Sequence, residues 1–224
     1  MQVVHDRHLL YIASREIEQT VADQDLWVPR RHEAAEANHL RQFASGLSLV
    51  GAYYELCFTN QATPSQREYV DFYLNAHENN LPELSSAQIT GMRARAARAY
   101  NSFVAEHQLL SLCIESGTFD ACYKSEVLDL QSMLDLVVKL GPNHFGFAIQ
   151  IPTEWAKHWI PIKLERQKAR GIIPRWPLEV VWMNFKRMKS VSNIHLFCSS
   201  YGVNVVLEKI SQMRFDMPST KIRR

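Results

Sequence analysis

The hydrophobic pattern divides the chain into a helical first half and a second part with strand periodicity. Up to about residue 118, apolar positions recur at steps of three and four, which is typical of helices with one buried face. The pattern predicts helices over residues 5–21, about 31–59, 63–80 and 84–113. The clearest apolar stripe lies in the second of these, a predicted core helix, and consists of Leu40, Phe43, Leu47, Val50, Tyr54 and Cys57.

From about residue 119 the period changes toward two, which favours strands. The sequence predicts strands in residues 118–124, 133–140 and 144–151, then a helix over 153–169 that is interrupted at Pro161, strands in 178–185 and 194–200, and a closing helix from 201. This order indicates an α/β fold with a small mixed sheet. We therefore expect a single domain over residues 1–224, with a mainly helical part over 1–118, which includes a helical insertion at about 61–118, and a sheet core over 119–224.

A second stripe, of small residues, runs beside the apolar stripe of the predicted core helix. Ala44, Ser48 and Gly51 share a face with Glu55. Small side chains let a helix approach its neighbour closely, so this stripe predicts a close helix contact that ends at the glutamate.

Two polar residues stand out in the predicted hairpin. Asp135 lies near the start of one strand and Gln150 near the end of the next, and pairing across the Gly141–Pro142–Asn143 turn brings them near each other. Carboxylate and amide oxygens are ligands that Mg²⁺ accepts. The alternative interpretation stays open that Asp135 is an ordinary carboxylate at a strand edge or turn.

With these residues the chain resembles the PD-(D/E)XK nuclease superfamily over about residues 35–60 and 119–186. The resemblance implies a restriction-endonuclease-like fold and phosphodiester hydrolysis with Mg²⁺ or Mn²⁺. By position it makes Asp135 and Gln150 the two strand ligands of the metal, and it makes Glu55 the helical one. The family's lysine position holds Pro152, so the resemblance implies that Lys157, one turn into the next helix, supplies the basic group.

The charge is uneven along the chain. Residues 1–153 hold 11 basic and 18 acidic residues, whereas residues 154–224 hold 14 basic and 5 acidic. A basic surface on an otherwise acidic protein indicates a polyanion partner, and we expect salt-sensitive contacts to DNA phosphates. The candidate contact residues are Lys163, Arg166, Lys168 and Arg170. A solvated helix face is the alternative explanation.

Other classes of protein find little support in the sequence. It contains neither a phosphate-binding glycine loop nor a zinc-binding pattern, and its four cysteines are widely spaced, as expected for reduced thiols. It has no apolar run near the roughly 18 residues that cross a bilayer, and its acidic start is unlike a signal peptide. We therefore expect a cytoplasmic protein without membrane association.

Three hypotheses follow for the function. The first is a nuclease that cleaves DNA, and the second is a catalytically inactive nuclease-fold subunit that binds nucleic acid or serves in an assembly. Pro152 favours the second hypothesis, and the coexistence of Glu55, Asp135 and Gln150 favours the first. The third is a helical scaffold for protein interaction. The helical region offers a surface for a protein partner or a homo-oligomer, and the resemblance suggests a mobile element or genome defence as context.

Overall fold

The computed structural model describes residues 7–30, 32–33, 47–78, 84–169, 171 and 178–216. Of residues 131, 155, 167–168 and 214–216 it describes the backbone alone. In these ranges it contains seven α-helices: α1 (Ser14–Ala22), α2 (Leu49–Asn60), α3 (Gln66–Asn75), α4 (Ser86–Glu115), α5 (Glu126–Ser132), α6 (Glu154–Ala169) and α7 (Ser199–Asp216). The strands are β1 (Ala121–Tyr123), β2 (Leu136–Leu140), β3 (Asn143–Gln150), β4 (Leu178–Trp182), β5 (Met188–Val191) and β6 (Ile194–Phe197). The expected α/β class is confirmed.

The first four strands form a mixed sheet in the order β1-β2-β3-β4. Strands β1, β2 and β3 are antiparallel neighbours, and β4 runs parallel to β3 because α6 carries the chain back across the sheet. Leu140 pairs with Asn143, so only Gly141 and Pro142 lie between β2 and β3. Gly141 has a φ of 62°, which glycine adopts without the steric cost of a side chain. Strands β5 and β6 form a separate hairpin.

Both faces of the mixed sheet are covered. Leu136, Phe147 and Val181 point into the main core, which the long helix α4 shares with α2, α3 and α7. On the opposite face, α6 packs Ile160 and Leu164 in a smaller cluster against alternate residues of β4. This two-sided burial explains why β2 and β3 contain so few polar residues.

The segment before α1 is extended and pairs with the chain that follows β1. The Leu9 N–H donates to the Lys124 carbonyl at 2.9 Å, and the Glu126 N–H donates to the Arg7 carbonyl at 2.9 Å. The buried His107 on α4 also holds this segment, with Nε2 2.8 Å from the Leu10 carbonyl. Burial lowers the pKa of His107 to about 4, so the imidazole is neutral and Nε2–H is the donor.

Several predicted elements differ from the observed ones. The helix predicted over 5–21 starts only at Ser14, because the residues before it form the extended pairing around His8 and Ser125. Of the core helix predicted over about 31–59, the part that is described starts at Leu49, and residues 31 and 34–46 lie outside the described residues. Helix α5 and strand β5 were not predicted. The predicted interruption at Pro161 is wrong, because α6 is continuous over Glu154–Ala169 with Pro161 inside it.

No helix in the described ranges is long and apolar enough to cross a membrane.

The stripe of small residues on α2 makes the close contact that its pattern predicts. An added Cβ at Gly51 would lie 2.7 Å from Glu126 Oε1 on α5 and 2.9 Å from Ser48 Oγ. Ser48 is the N-cap of α2, and Arg7 holds the carboxylate of Glu126 at 2.7 Å. Glu55, one turn further along α2, pairs with the same arginine. Gly51 therefore allows the close approach of α2 to α5 without a shift of these side chains. Ala44 lies outside the described residues.

We predict that Gly51→Ala lowers the free energy of unfolding by about 1 kcal/mol. Crowding in a packed contact costs about 1 to 3 kcal/mol, and the better helix propensity of alanine returns about 1 kcal/mol. Urea denaturation of both proteins measures the difference. In a Glu126→Ala background the same substitution should cost clearly less, because its nearest obstacle is gone; an unchanged cost would contradict this account.

Candidate metal centre

Four charged side chains from four separate segments meet beside the mixed sheet. Glu106 comes from α4, Lys124 follows β1, Asp129 comes from α5, and Asp135 lies in the bend that leads into β2. One oxygen of each carboxylate lies within 4.8 Å of the others. The Lys124 ammonium donates a hydrogen bond to Glu106 and lies 3.1 Å from Asp129 Oδ2 and 4.0 Å from Asp135 Oδ1. We call these four residues the acidic cluster.

Local structure brings Asp129 and Asp135 to the same place. Ser125 caps α5 by accepting a hydrogen bond from the Leu128 N–H, and α5 ends at Met133, whose φ of 58° turns the chain toward β2. Asp135 is then held against β3 from both directions. Its N–H donates to the Phe147 carbonyl at 2.8 Å, and its Oδ2 accepts from the Ile149 N–H at 2.6 Å. The orientation of this carboxylate is thus set by backbone groups.

Burial makes the charge balance of the acidic cluster decisive. Lys124 is 1% exposed, and Glu106 and Asp135 are each 6% exposed. Burial raises the pKa of Glu106 to about 7, and burial together with Glu106 raises the pKa of Asp135 well above its ordinary value. Burial alone would lower the pKa of Lys124, but Asp129 and Glu106 raise it well above its ordinary value. The ammonium therefore stays charged, and three carboxyl groups share one cation.

One buried polar group near the acidic cluster lacks a partner. The hydroxyl of Tyr54, a residue that is 2% exposed, has no hydrogen-bond partner among the described residues. Burial raises the pKa of this hydroxyl, and the charges of all four cluster residues also act on it, so it lies within electrostatic range of them. Asp129 Oδ2, in contrast, is paired with the Lys124 ammonium at 3.1 Å. A buried polar group without a partner is costly, so the Tyr54 hydroxyl indicates a site for a further ligand.

The donor set fits a hard divalent cation. Carboxylate oxygens are the preferred ligands of Mg²⁺ and Mn²⁺, and three of them converge here from three elements. A bound cation would favour the ionised form of Glu106 and Asp135, which burial disfavours. It would share the carboxylates with Lys124, whose ammonium already contacts two of them.

The residues singled out from the sequence lie in different surroundings. Asp135 belongs to the acidic cluster, whereas Glu55 is paired with Arg7. Gln150 is half-buried at the end of β3; the register places Ala148 opposite Asp135 and Gln150 two positions beyond. Lys157 is half-exposed on α6 and pairs with Glu154 at 2.8 Å. Glu55 is not among the three described carboxylates that converge in the acidic cluster. Its role as a metal ligand stays a prediction.

The predicted phosphate contacts lie on α6. Lys163 and Arg166 are exposed. Lys168 is within the helix, but its side chain lies outside the described residues, as does the whole of Arg170. Their contact with DNA stays a prediction.

The sequence contains a signal for Glu106 that was not recognised, namely its position on an apolar helix face. The residues three and four positions away on the helix include Phe103, Leu109 and Leu110, so the glutamate interrupts an apolar face. A charge at such a position indicates a buried partner. Lys124 and Asp129 had no comparable signal, because each lies in a short segment whose burial depends on contacts distant in sequence.

Comparisons of the sequence with protein-family models and with curated proteins, and of the structure with solved structures, found no match. The assignment of a function therefore depends on the geometry of the acidic cluster and on the order of the surrounding elements.

The raised pKa of Glu106 predicts a specific pH dependence of stability. Between pH 4.5 and about 7 the folded protein keeps a proton that the unfolded chain releases, so the free energy of unfolding should fall as pH rises through this range. Glu106→Gln should flatten the slope, because glutamine does not titrate. Urea denaturation at a series of pH values measures both slopes.

The matched control for this prediction is Glu208→Gln, which replaces an exposed glutamate on α7. It should keep the wild-type slope. A wild-type protein whose stability rises over the same pH range would contradict the protonated state of the acidic cluster.

Proposed function

We propose that this protein is a metal-dependent phosphodiesterase that acts on DNA, with Glu106, Asp129 and Asp135 as the ligands of Mg²⁺ or Mn²⁺. The observation that carries the proposal is the convergence of three carboxylates from three elements within 4.8 Å, beside the start of β2. The buried, unpartnered hydroxyl of Tyr54 is further support, because the charges of the same residues act on it.

The order of elements supports a restriction-endonuclease-like fold within this proposal. A long helix, α4, precedes three antiparallel strands, and α6 then connects β3 to the parallel β4. Apart from the short helix α5 between β1 and β2, this matches the core of the superfamily that the sequence resembles, which is a helix followed by three strands, a helix and a fourth strand. The core helix of this arrangement is α4, with Glu106, rather than the helix that carries Glu55.

A bound divalent cation in the acidic cluster would polarise a phosphate and lower the pKa of a bound water. The residues of the chain have separate roles. The backbone N–H of Ile149 holds the Asp135 carboxylate in place, so one ligand is oriented before any ion arrives. Lys124 supplies a permanent positive charge at the carboxylates, and a charge of this kind stabilises the negative charge that develops on a phosphate. Lys124 thus supplies the basic group that is missing at Pro152, the position of the superfamily's lysine.

The exposed basic residues of α6 support a DNA partner. Lys163 and Arg166 carry positive charge on a surface helix, and such groups bind phosphates without reading the sequence. Lys157, in contrast, forms an exposed pair with its helix neighbour Glu154 and is not among the residues of the acidic cluster.

The alternative function is a catalytically inactive nuclease-fold subunit that binds nucleic acid or serves in an assembly. One observation favours it: Lys124 is 1% exposed and already lies among the carboxylates. In this alternative the ammonium stands in for the cation, and the acidic cluster serves the stability of the fold.

We predict that the protein binds Mn²⁺ and cuts plasmid or single-stranded DNA, and that Asp135→Asn and Glu106→Gln each weaken ion binding by about tenfold or more, because each removes an anionic ligand. Calorimetric titration with MnCl₂ measures the affinity, and gel electrophoresis measures the cutting. Lys157→Ala should cut like the wild type.

The matched control is Asp71→Asn, which changes a surface carboxylate that pairs with Arg67. It should leave ion binding and cutting unchanged. Equal Mn²⁺ affinity in the wild type and in Asp135→Asn would overturn the metal centre. DNA binding without cutting would favour the inactive subunit. Loss of cutting in Lys157→Ala would show that Lys157 on α6, and not Lys124, supplies the basic group for cleavage.

A further inference from the structure

A cavity of about 150 Å³ lies where α4 meets the ends of the parallel strands and the β5–β6 hairpin. Its lining from α4 is one helical face, formed by Arg98, Asn101, Ser102 and Ala105. Its apolar walls come from Val28, Ile151, Met183 and Ile194. Ligands of open α/β sheets commonly bind beyond the carboxyl ends of parallel strands, which is where Ile151 and Met183 lie.

Two residues that line this cavity each carry a buried polar atom without a partner. Neither Asn101 Oδ1 nor His195 Nδ1 makes a hydrogen bond within the part of the chain that the structure describes, and both residues line the cavity. The His195 ring stacks on Phe185, with ring centroids 4.4 Å apart and an angle of 25° between the rings. The cavity therefore combines a stacked pair of aromatic rings with two polar groups that lack the hydrogen bonds that buried polar atoms normally make.

The chemistry of these groups defines the occupant. The amide oxygen is an acceptor, and the imidazole Nδ1 is one in the neutral tautomer that carries its proton on Nε2. An exocyclic amino group donates two hydrogen bonds from one nitrogen, and a flat ring suits walls that are mainly apolar. Exposed Arg98 is at the rim, where its guanidinium donates to the Pro29 carbonyl at 3.2 Å and can also reach an anion.

We propose that this cavity binds one unpaired nucleotide whose base carries an amino group, with the phosphate at Arg98. The proposal rests on the proposed function for the idea that the substrate is a nucleic acid. Ala105 lines the cavity and is next to Glu106, and Ile151 is two residues beyond Ile149, the partner of Asp135. The residues that would contact the base are thus sequence neighbours of Glu106 and of the residue that holds Asp135.

The test is calorimetric titration of the full chain, without added metal, with adenosine 5′-monophosphate, uridine 5′-monophosphate and adenosine. We expect adenosine monophosphate to bind about tenfold more tightly than uridine monophosphate, because uracil leaves one acceptor without a donor. Adenosine should bind more weakly than its monophosphate, because it lacks the phosphate for Arg98.

Asn101→Leu should remove the preference for adenosine monophosphate. Leucine is of similar size and replaces a buried polar atom that has no partner, so the variant should be at least as stable as the wild type. Asn75→Leu, the same change at an exposed position on α3, is the matched control and should bind like the wild type. Ile151→Trp, which fills the cavity without changing Asn101, is a second variant that should not bind.

Equal binding of the two monophosphates, wild-type affinity in Asn101→Leu, or no binding of any nucleotide would each overturn the proposal. Asp135→Asn separates this proposal from the proposed function. It should bind adenosine monophosphate like the wild type, because the cavity needs no metal. A protein that binds this nucleotide but neither binds Mn²⁺ nor cuts DNA would retain the cavity and lose the metal centre.

Discussion

The buried ammonium of Lys124 is the interaction on which the arrangement around the sheet depends. It joins Glu106 on α4, Asp129 on α5 and Asp135 at the start of β2, three segments that share no other charged partner in the described ranges. Removing one partner of a buried ion pair costs about 3 to 5 kcal/mol, because it leaves an uncompensated charge. The position of β2 relative to α4 is therefore tied to the charge state of one side chain.

The same interaction links stability to the proposed chemistry. A single ammonium does not neutralise three carboxylates, and burial, more than the neighbouring charges, raises the pKa of Glu106 and Asp135. A bound cation would stabilise the ionised carboxylates, and the contact with Lys124 competes with such a cation. Sites that bind ions or substrates often retain such local electrostatic conflict, which the rest of the fold supports. In this protein the support comes from the backbone bonds of Asp135 and from the packing of α4.

Helix α4 organises both candidate sites. Ala105 lines the cavity and Glu106 enters the acidic cluster, so neighbouring positions on one rigid helix serve two purposes. Successive residues of an α-helix point about 100° apart, which lets one element present different chemistry on adjacent faces. A rigid helix also holds the two sites at a constant separation, as a substrate that spans both would require.

The sequence by itself determined the class of the fold and most of its regular elements. Its periods located α3, α4, α6, α7 and the strands β2, β3, β4 and β6, because each of these has residues buried on at least one side. Strand β1 was also predicted, although none of its three residues is buried. The Gly141–Pro142 turn predicted the β2–β3 hairpin, and the small residues before Glu55 predicted a close helix contact. Asp135 was singled out as a candidate ligand by its place at the start of a strand.

Only the tertiary structure decided which groups accompany Asp135. Glu106, Lys124 and Asp129 meet it through contacts between segments that are distant in sequence, and no local pattern encodes such a meeting. Glu55 was an equally good candidate in the sequence, but the extended segment before α1 brings Arg7 to it instead. Local periodicity reports which face of an element is buried, whereas the partner of a buried charge depends on how whole elements pack.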